Sequence, residues 1–172
     1  MKKIVIIGPE STGKSSLCRQ LAEHYSSTWC PEYARAYLEA LDRPYTYEDL
    51  LQIAKGQLEL EDDMVRKTIT SPCFIDTNMY VMQVWCEYVY GKCHQFILDE
   101  LVSRQYDLYL LCNVDLPWSY DALREYPDEA PRKELYRYYR ELMIEQTSPW
   151  VEISGLGVDR FDAAVAAIDR IT

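Results

Sequence analysis

Five short apolar runs punctuate the chain, and stretches with helical spacing lie between them. Lys3–Ile7 is β-branched, ends at Gly8 and predicts a strand buried on both faces. Amphipathic spacing then runs from Lys14 to Tyr25. Residues 27–31 read as a second strand, followed by a helix over 34–41 that Asp42-Arg43-Pro44 breaks. Thr46 offers an N-cap to a long charged helix over 48–66. Residues 72–76 predict a third strand. Met79–Tyr90 predicts an apolar helix stopped by Gly91, and 94–103 a further helix. Leu108–Cys112 is the fourth apolar run. Residues 113–130 are rich in Pro, Asp and Tyr and predict a loop. Pro131 suits the first turn of a charged helix to Glu145. A fifth strand over 150–154, a turn over 155–158 and a helix over 160–171 close the chain. Strands separated by helices imply an α/β fold, a parallel sheet with helices on both faces. With no repeat and no Gly-, Pro- or Ser-rich linker, residues 1–172 read as one domain.

Composition narrows the function classes. The 172 residues carry 28 acidic and 18 basic side chains, a net charge of −10. That balance argues against a nucleic-acid-coating protein, which needs a basic footprint, but leaves a small phosphorylated ligand possible. The N-terminal run holds only four apolar residues after two lysines, too few for a signal peptide or a membrane span, so a cytoplasmic protein is expected. Cys18, Cys30, Cys73, Cys86, Cys93 and Cys112 form no Cys-x-x-Cys pair and read as reduced core thiols. Fifteen tyrosines, four tryptophans and three phenylalanines leave two readings open, helical packing or a pocket for a flat ligand. Oligomeric state has no signature in the sequence.

The chemistry begins at Gly8-Pro9-Glu10-Ser11-Thr12-Gly13-Lys14-Ser15, a complete G-x-x-x-x-G-K-[ST] between a strand and a helix. Glycines let successive N–H groups point at phosphate oxygens, and the helix N-terminus adds partial positive charge. Lys14 can reach the β- and γ-phosphates, and Ser15 can ligate Mg²⁺. Gly8, Glu10, Ser11, Thr12, Gly13, Lys14, Ser15 and Ser16 are therefore the expected ATP-binding set, with Mg²⁺ as the accompanying ion.

In open parallel sheets the ligand lies beyond the carboxyl ends of the strands. After the second strand come Glu32, Tyr33 and Arg35. The acid can take a hydroxyl proton or bind sugar hydroxyls, and the arginine can hold a phosphate. After the third strand comes Asp76, suited to Mg²⁺ or to base chemistry, or simply to capping the next helix. Arg124 and Arg132 bracket a tyrosine- and acid-rich segment, as lid arginines would, and a lid over about 115–132 is expected. Gly155 and Asp159, after the fifth strand, are candidates for the nucleotide base; the competing reading is a plain turn with Asp159 as N-cap. His24 and His94 each sit alone in helical stretches and read as structural.

The P-loop wording, Pro-Glu-Tyr-Ala-Arg at 31–35, Phe-Ile-Asp-Thr at 74–77, and Pro-Trp with Asp-Ala-Leu-Arg at 117–124 occur in one order. Together they resemble the ribosylnicotinamide kinase domain of the NadR-type bacterial NAD-biosynthesis proteins, over essentially the whole chain. The resemblance implies a P-loop NTPase fold, three-layer α/β/α, with a five-stranded parallel sheet in order 2-3-1-4-5 and a helical lid. It implies ATP-dependent phosphorylation of the 5′-hydroxyl of nicotinamide riboside. By position, Lys14, Glu32, Asp76, Arg124 and Arg132 would be catalytic, and Ser15 and Asp76 would hold the metal. Glu32, Tyr33, Arg35, Asn78 and Trp118 would bind substrate, Trp118 by stacking on the ring. Whether Glu32 or Asp76 is the base stays open. Asn78 and Ala122 stand where the family often has Asp and Gly, which puts sugar and metal contacts in question. The adenylyltransferase and DNA-binding parts of the multidomain regulators have no counterpart here, and the first strand opens at residue 3, so a stand-alone kinase is expected. The alternatives are a kinase for another nucleoside or small alcohol, or a low-turnover module binding ATP and a pyridine nucleotide.

Overall fold

A computed structural model describes residues 1–172. Five strands form one parallel sheet, β1 (Lys3–Ile7), β2 (Trp29–Cys30), β3 (Cys73–Asp76), β4 (Leu108–Cys112) and β5 (Trp150–Ile153), in order β2-β3-β1-β4-β5. Seven helices connect or follow them: α1 (Lys14–His24), α2 (Tyr33–Glu39), α3 (Tyr47–Lys67), α4 (Met79–Tyr90), α5 (Gln95–Ser103), α6 (Glu129–Glu145) and α7 (Val158–Ile168).

The pleat of β1 explains the layering. Ile4 and Ile6 point to one face, where they pack with Leu17, Cys18 and Leu21 of α1 and Ala164 and Ile168 of α7. Val5 and Ile7 point to the other, where they meet Val84 of α4 and Leu135, Tyr139 and Met143 of α6. Ile4, Val5, Ile6 and Ile7 are all fully buried, so a continuous apolar run is what a central parallel strand requires. A third cluster joins Ala34 of α2, Leu50 and Ile53 of α3, Met79 and Met82 of α4 and Ile97 of α5. The six cysteines are unpaired, five of them buried and Cys93 half-buried.

Two elements differ from the sequence expectation. The second strand shrinks to two residues, because as an edge strand it pairs only with Phe74 and Ile75 of β3. The last helix begins at Val158 with Gly157 as its N-cap, which puts Asp159 in the first turn rather than at the cap. The Thr46 cap is present as a reciprocal capping box with Asp49. No helix is long and apolar enough to cross a membrane.

Candidate active site

The carboxyl ends of β1, β3 and β4 lie side by side, with Ile6 paired to Asp76 and Ile7 to Leu111, so their following loops converge. The loop after β1 forms the phosphate cradle. Gly8 sits at φ 137°, and a Cβ there would lie 2.7 Å from the Cys112 carbonyl oxygen; only glycine lets the loop leave the sheet so close to β4. Ser11 holds a left-handed conformation at φ 57°, and left-handed Gly13 is the N-cap of α1. The fully buried Thr12 donates its hydroxyl to the Pro9 carbonyl at 2.7 Å. Lys14 Nζ donates to the same oxygen at 2.8 Å, folded back over the loop its charge would serve.

Arg160, at the start of α7, was not singled out by the sequence. Its guanidinium is 4% exposed as a residue and donates to the carbonyls of Thr12, Asn113 and Gly155 at 2.9 Å each and to Asp115 at 2.7 Å. It thereby ties the cradle to the loops after β4 and β5.

Asp76 ends β3 only 1% exposed, and neither carboxylate oxygen has a hydrogen-bond partner of normal geometry. Burial, the largest influence, raises its pKa to about 6; Glu32 adds to the rise, while Lys14, the nearby Ser15 hydroxyl and Arg35 oppose it. Thr77, next in the chain, is held at φ 78° with its buried hydroxyl unpartnered. A β-branched residue in that region is strained, and such strain gathers at ligand sites.

Beside the cradle lies a cleft of about 240 Å³, reaching from Gly8–Ser16 across Glu32 and Arg35 to α4 and the β4–α6 connection. Its far wall is aromatic. Tyr45 and Trp85 meet edge to face with centroids 5.2 Å apart, and the Trp85 indole donates to the Tyr45 hydroxyl at 3.1 Å. Tyr88 and Tyr126 form a second such pair at 5.6 Å. The Tyr45 hydroxyl donates to Glu125, which brings a carboxylate to the rim of the rings at 2.9 Å. Burial, the largest influence, raises the Glu125 pKa, and its bond from Tyr45 opposes the rise.

The structure therefore sorts the candidates. Glu10, Ser11, Thr12, Lys14, Ser15, Ser16, Glu32, Arg35 and Arg124 line the cleft, together with Gly8 and Gly13. Arg35 is paired with Asp121 at 2.9 Å, and Arg124 donates to the Ser119 carbonyl and hydroxyl. The Glu10 carboxylate is turned away from the phosphate position, accepting the N–H groups of Glu125 and Tyr126 at 2.9 and 2.6 Å. Arg132 is 5% exposed, with Nε and one terminal nitrogen unpartnered, but does not line the cleft.

Five other candidates do not line the cleft. Tyr33 turns its ring onto Gly56 of α3 and gives its N–H to Gln57 at 2.7 Å. Asn78 is fully buried as the N-cap of α4, accepting from Tyr80 N–H at 3.1 Å and donating to the Tyr109 hydroxyl at 3.3 Å. Trp118 packs edge to face on Tyr120 at 6.3 Å and stays outside the cleft. Gly155 donates its N–H to Asp115 at 2.6 Å, and neither it nor Asp159 reaches the cleft. The ring-bearing residues that line the cleft are Tyr45, Trp85, Tyr88, Tyr126 and, at its buried side, Tyr139. Trp85 and Tyr88 share one face of α4 with Val81 and Val84 at helical spacing, a pattern that in sequence reads equally as core packing.

Residues 3–160 match the AAA domain family AAA_28. The chain is 30% identical over 157 residues, 89% of its length, to the trifunctional NAD biosynthesis/regulator protein NadR of Escherichia coli. It spans only 38% of the length of that protein and 40% of the NadR of Salmonella typhimurium, to which it is 29% identical over 163 residues. A crystal structure of NadR in complex with NR superposes with a TM-score of 0.81 at 23% identity, covering 99% of this chain and 51% of that one. Thymidylate kinase from Ehrlichia chaffeensis superposes at 0.66 and 16% identity, covering 99% of this chain and 98% of that one. The two superpositions establish the fold, a P-loop α/β/α architecture with a parallel sheet in the 2-3-1-4-5 order.

Proposed function

The chain belongs to the AAA domain family, and from that premise we propose that it transfers the γ-phosphate of ATP to the 5′-hydroxyl of nicotinamide riboside, giving nicotinamide mononucleotide. One observation carries the choice of acceptor. The cleft that opens from the phosphate cradle ends in two aromatic pairs with the Glu125 carboxylate at their edge. Faces of Trp and Tyr attract a cationic ring, and a carboxylate adds direct charge attraction. The pyridinium of nicotinamide riboside is such a ring; the bases of ordinary nucleosides are neutral. The relatives agree in kind: NadR has been crystallised with NR, and the E. coli protein acts in NAD biosynthesis.

In this reading the cradle N–H groups and Lys14 hold the triphosphate, and the transfer is catalysed by positioning and by charge. Glu32 lines the cleft on the acceptor side and takes the 5′-hydroxyl proton as the base. Asp76 is buried and does not line the cleft. Its two unpartnered buried oxygens, with the Ser15 hydroxyl nearby, fit one flank of a hydrated Mg²⁺. That ion, when bound, would neutralise charge on the β- and γ-phosphates. Residues 115–132 act as the lid. Arg35 and Arg124 are already at the cleft, held by Asp121 and Ser119, and exchange those partners for phosphoryl oxygens when ATP binds.

The test is product mass spectrometry after incubation with ATP, Mg²⁺ and a panel of nucleosides. Nicotinamide mononucleotide is expected from nicotinamide riboside and is expected to vanish in Lys14→Ala. Turnover only of a neutral nucleoside would overturn the acceptor assignment, and binding of both ligands with no phosphorylated product would make the protein a binding module.

A further inference from the structure

A carboxylate inside a phosphate cradle is at first sight misplaced, since it repels the anion the loop must hold. Glu10 is the only charged residue of Gly8–Ser15 besides Lys14. Its geometry shows where its charge is used. Oε2 accepts the Glu125 N–H at 2.9 Å and Oε1 the Tyr126 N–H at 2.6 Å, across 115 and 116 residues of sequence. Both carboxylate oxygens are thus engaged by successive backbone donors, a charge-assisted arrangement stronger than neutral hydrogen bonds. The residues it holds are two components of the acceptor wall: Glu125 with its Tyr45 bond, and Tyr126 with its Tyr88 contact. A neighbouring contact runs the same way, since the Ser11 hydroxyl accepts the Ser119 N–H at 3.1 Å.

We propose that Glu10 is a positioning residue for the acceptor, coupling the phosphate cradle to the wall of the nucleoside pocket. It does not touch the reacting atoms; it sets where Glu125 and Tyr126 stand relative to Lys14 and Ser15. The acceptor wall is therefore assembled on the ATP site. The inference rests on the nucleoside kinase reading for its kinetic consequence, but not for the contact itself.

Two measurements test it. The first is amide hydrogen exchange of the intact protein without ligands. In Glu10→Ala the Glu125 and Tyr126 amides are expected to exchange about tenfold faster or more, while β1 and β4 amides keep their protection. Unchanged exchange at 125 and 126 overturns the proposal whatever the protein phosphorylates. The second is kinetic, with nicotinamide riboside and ATP. Glu10→Ala is expected to raise the acceptor KM about tenfold, with kcat and the ATP KM each changing less than about threefold. Glu10→Gln keeps one acceptor oxygen and loses the other, so its acceptor KM is expected between wild type and Glu10→Ala. An equal rise in the ATP KM, or a fall in kcat alone, overturns the assignment by placing Glu10 at the nucleotide or in the chemistry. Failure of the wild type to phosphorylate nicotinamide riboside would strike the functional reading, and the exchange experiment would still decide the role of Glu10.

Discussion

Gly56→Ala reverses the sign that helix propensity assigns to it. Gly56 lies inside α3, where replacing glycine by alanine in an exposed helix gains about 1 kcal/mol. Here a Cβ would lie 2.2 Å from Cε1 and 2.4 Å from Cζ of Tyr33, well inside contact distance. The ring must retreat by more than about 1 Å to restore an ordinary carbon–carbon separation of ~3.5–4.0 Å. Its retreat is opposed by packing, because the Tyr33 ring lies in the α2–α5 cluster beside Tyr37, with centroids 6.3 Å apart. Overpacking of this kind costs about 1–3 kcal/mol. Set against the propensity gain, a net loss of up to about 2 kcal/mol is expected, read as a lowered urea midpoint at unchanged slope. The displacement also reaches the site, since Glu32 precedes Tyr33, so the acceptor reaction should slow. The double mutant with Tyr33→Ala isolates the cause: in that background Gly56→Ala should stabilise, by up to about 1 kcal/mol. Stabilisation by Gly56→Ala in the wild-type background would refute the reasoning, as would equal destabilisation in both.

Two further outcomes follow from the electrostatics. Glu125→Gln should raise the KM for nicotinamide riboside about three- to tenfold, a discounted figure for a half-exposed carboxylate, and leave the KM for a neutral nucleoside unchanged. In the wild type the same selectivity should fade as pH falls and Glu125 protonates. That fading sets in above the ordinary glutamate range, because burial raises the Glu125 pKa; steady-state kinetics on both nucleosides at several pH values checks it. Asp49 accepts two bonds from Arg43, two from Thr46 and one from Tyr37, and its pKa is held far below the usual carboxylate range, chiefly by Arg43. A depressed folded pKa stabilises the fold above the unfolded value of about 3.9, and that contribution is lost as pH falls further. Asp49→Asn should therefore lower the melting temperature at pH 7, with the gap to wild type narrowing below pH ~4.

The parts of the fold written in local sequence were readable from it. The apolar runs marked the strands, the P-loop marked β1–α1, and Pro131 marked the first turn of α6. The extent of β2 was not readable, because pairing with β3 sets it rather than the β-propensity of residues 27–31. The site divides in the same way. Lys14 and Ser15 belong to a contiguous motif whose chemistry survives without knowledge of the fold. The aromatic wall is assembled from the segment before α3, one face of α4 and the β4–α6 connection, so no short window contains it. Trp85 and Tyr88 sit in an apolar helix and read as core; only the sheet topology shows that part of α4 faces a cleft. Motif position did not show that the Tyr33 ring packs on Gly56, 23 residues away, or that Asn78 caps α4 while donating to the Tyr109 hydroxyl on β4. Arg160 is a similar case, one arginine among many until its four acceptors are seen together.

The central claim is that this cleft selects a cationic nucleoside and delivers its 5′-hydroxyl to ATP. Its most direct test is the ratio of kcat/KM for nicotinamide riboside to that for its reduced, uncharged dihydro form, which differs little in shape. The account predicts a ratio of about ten or more for the wild type, falling toward one in Glu125→Gln. A wild-type ratio near one, or a preference for the uncharged form, would contradict it.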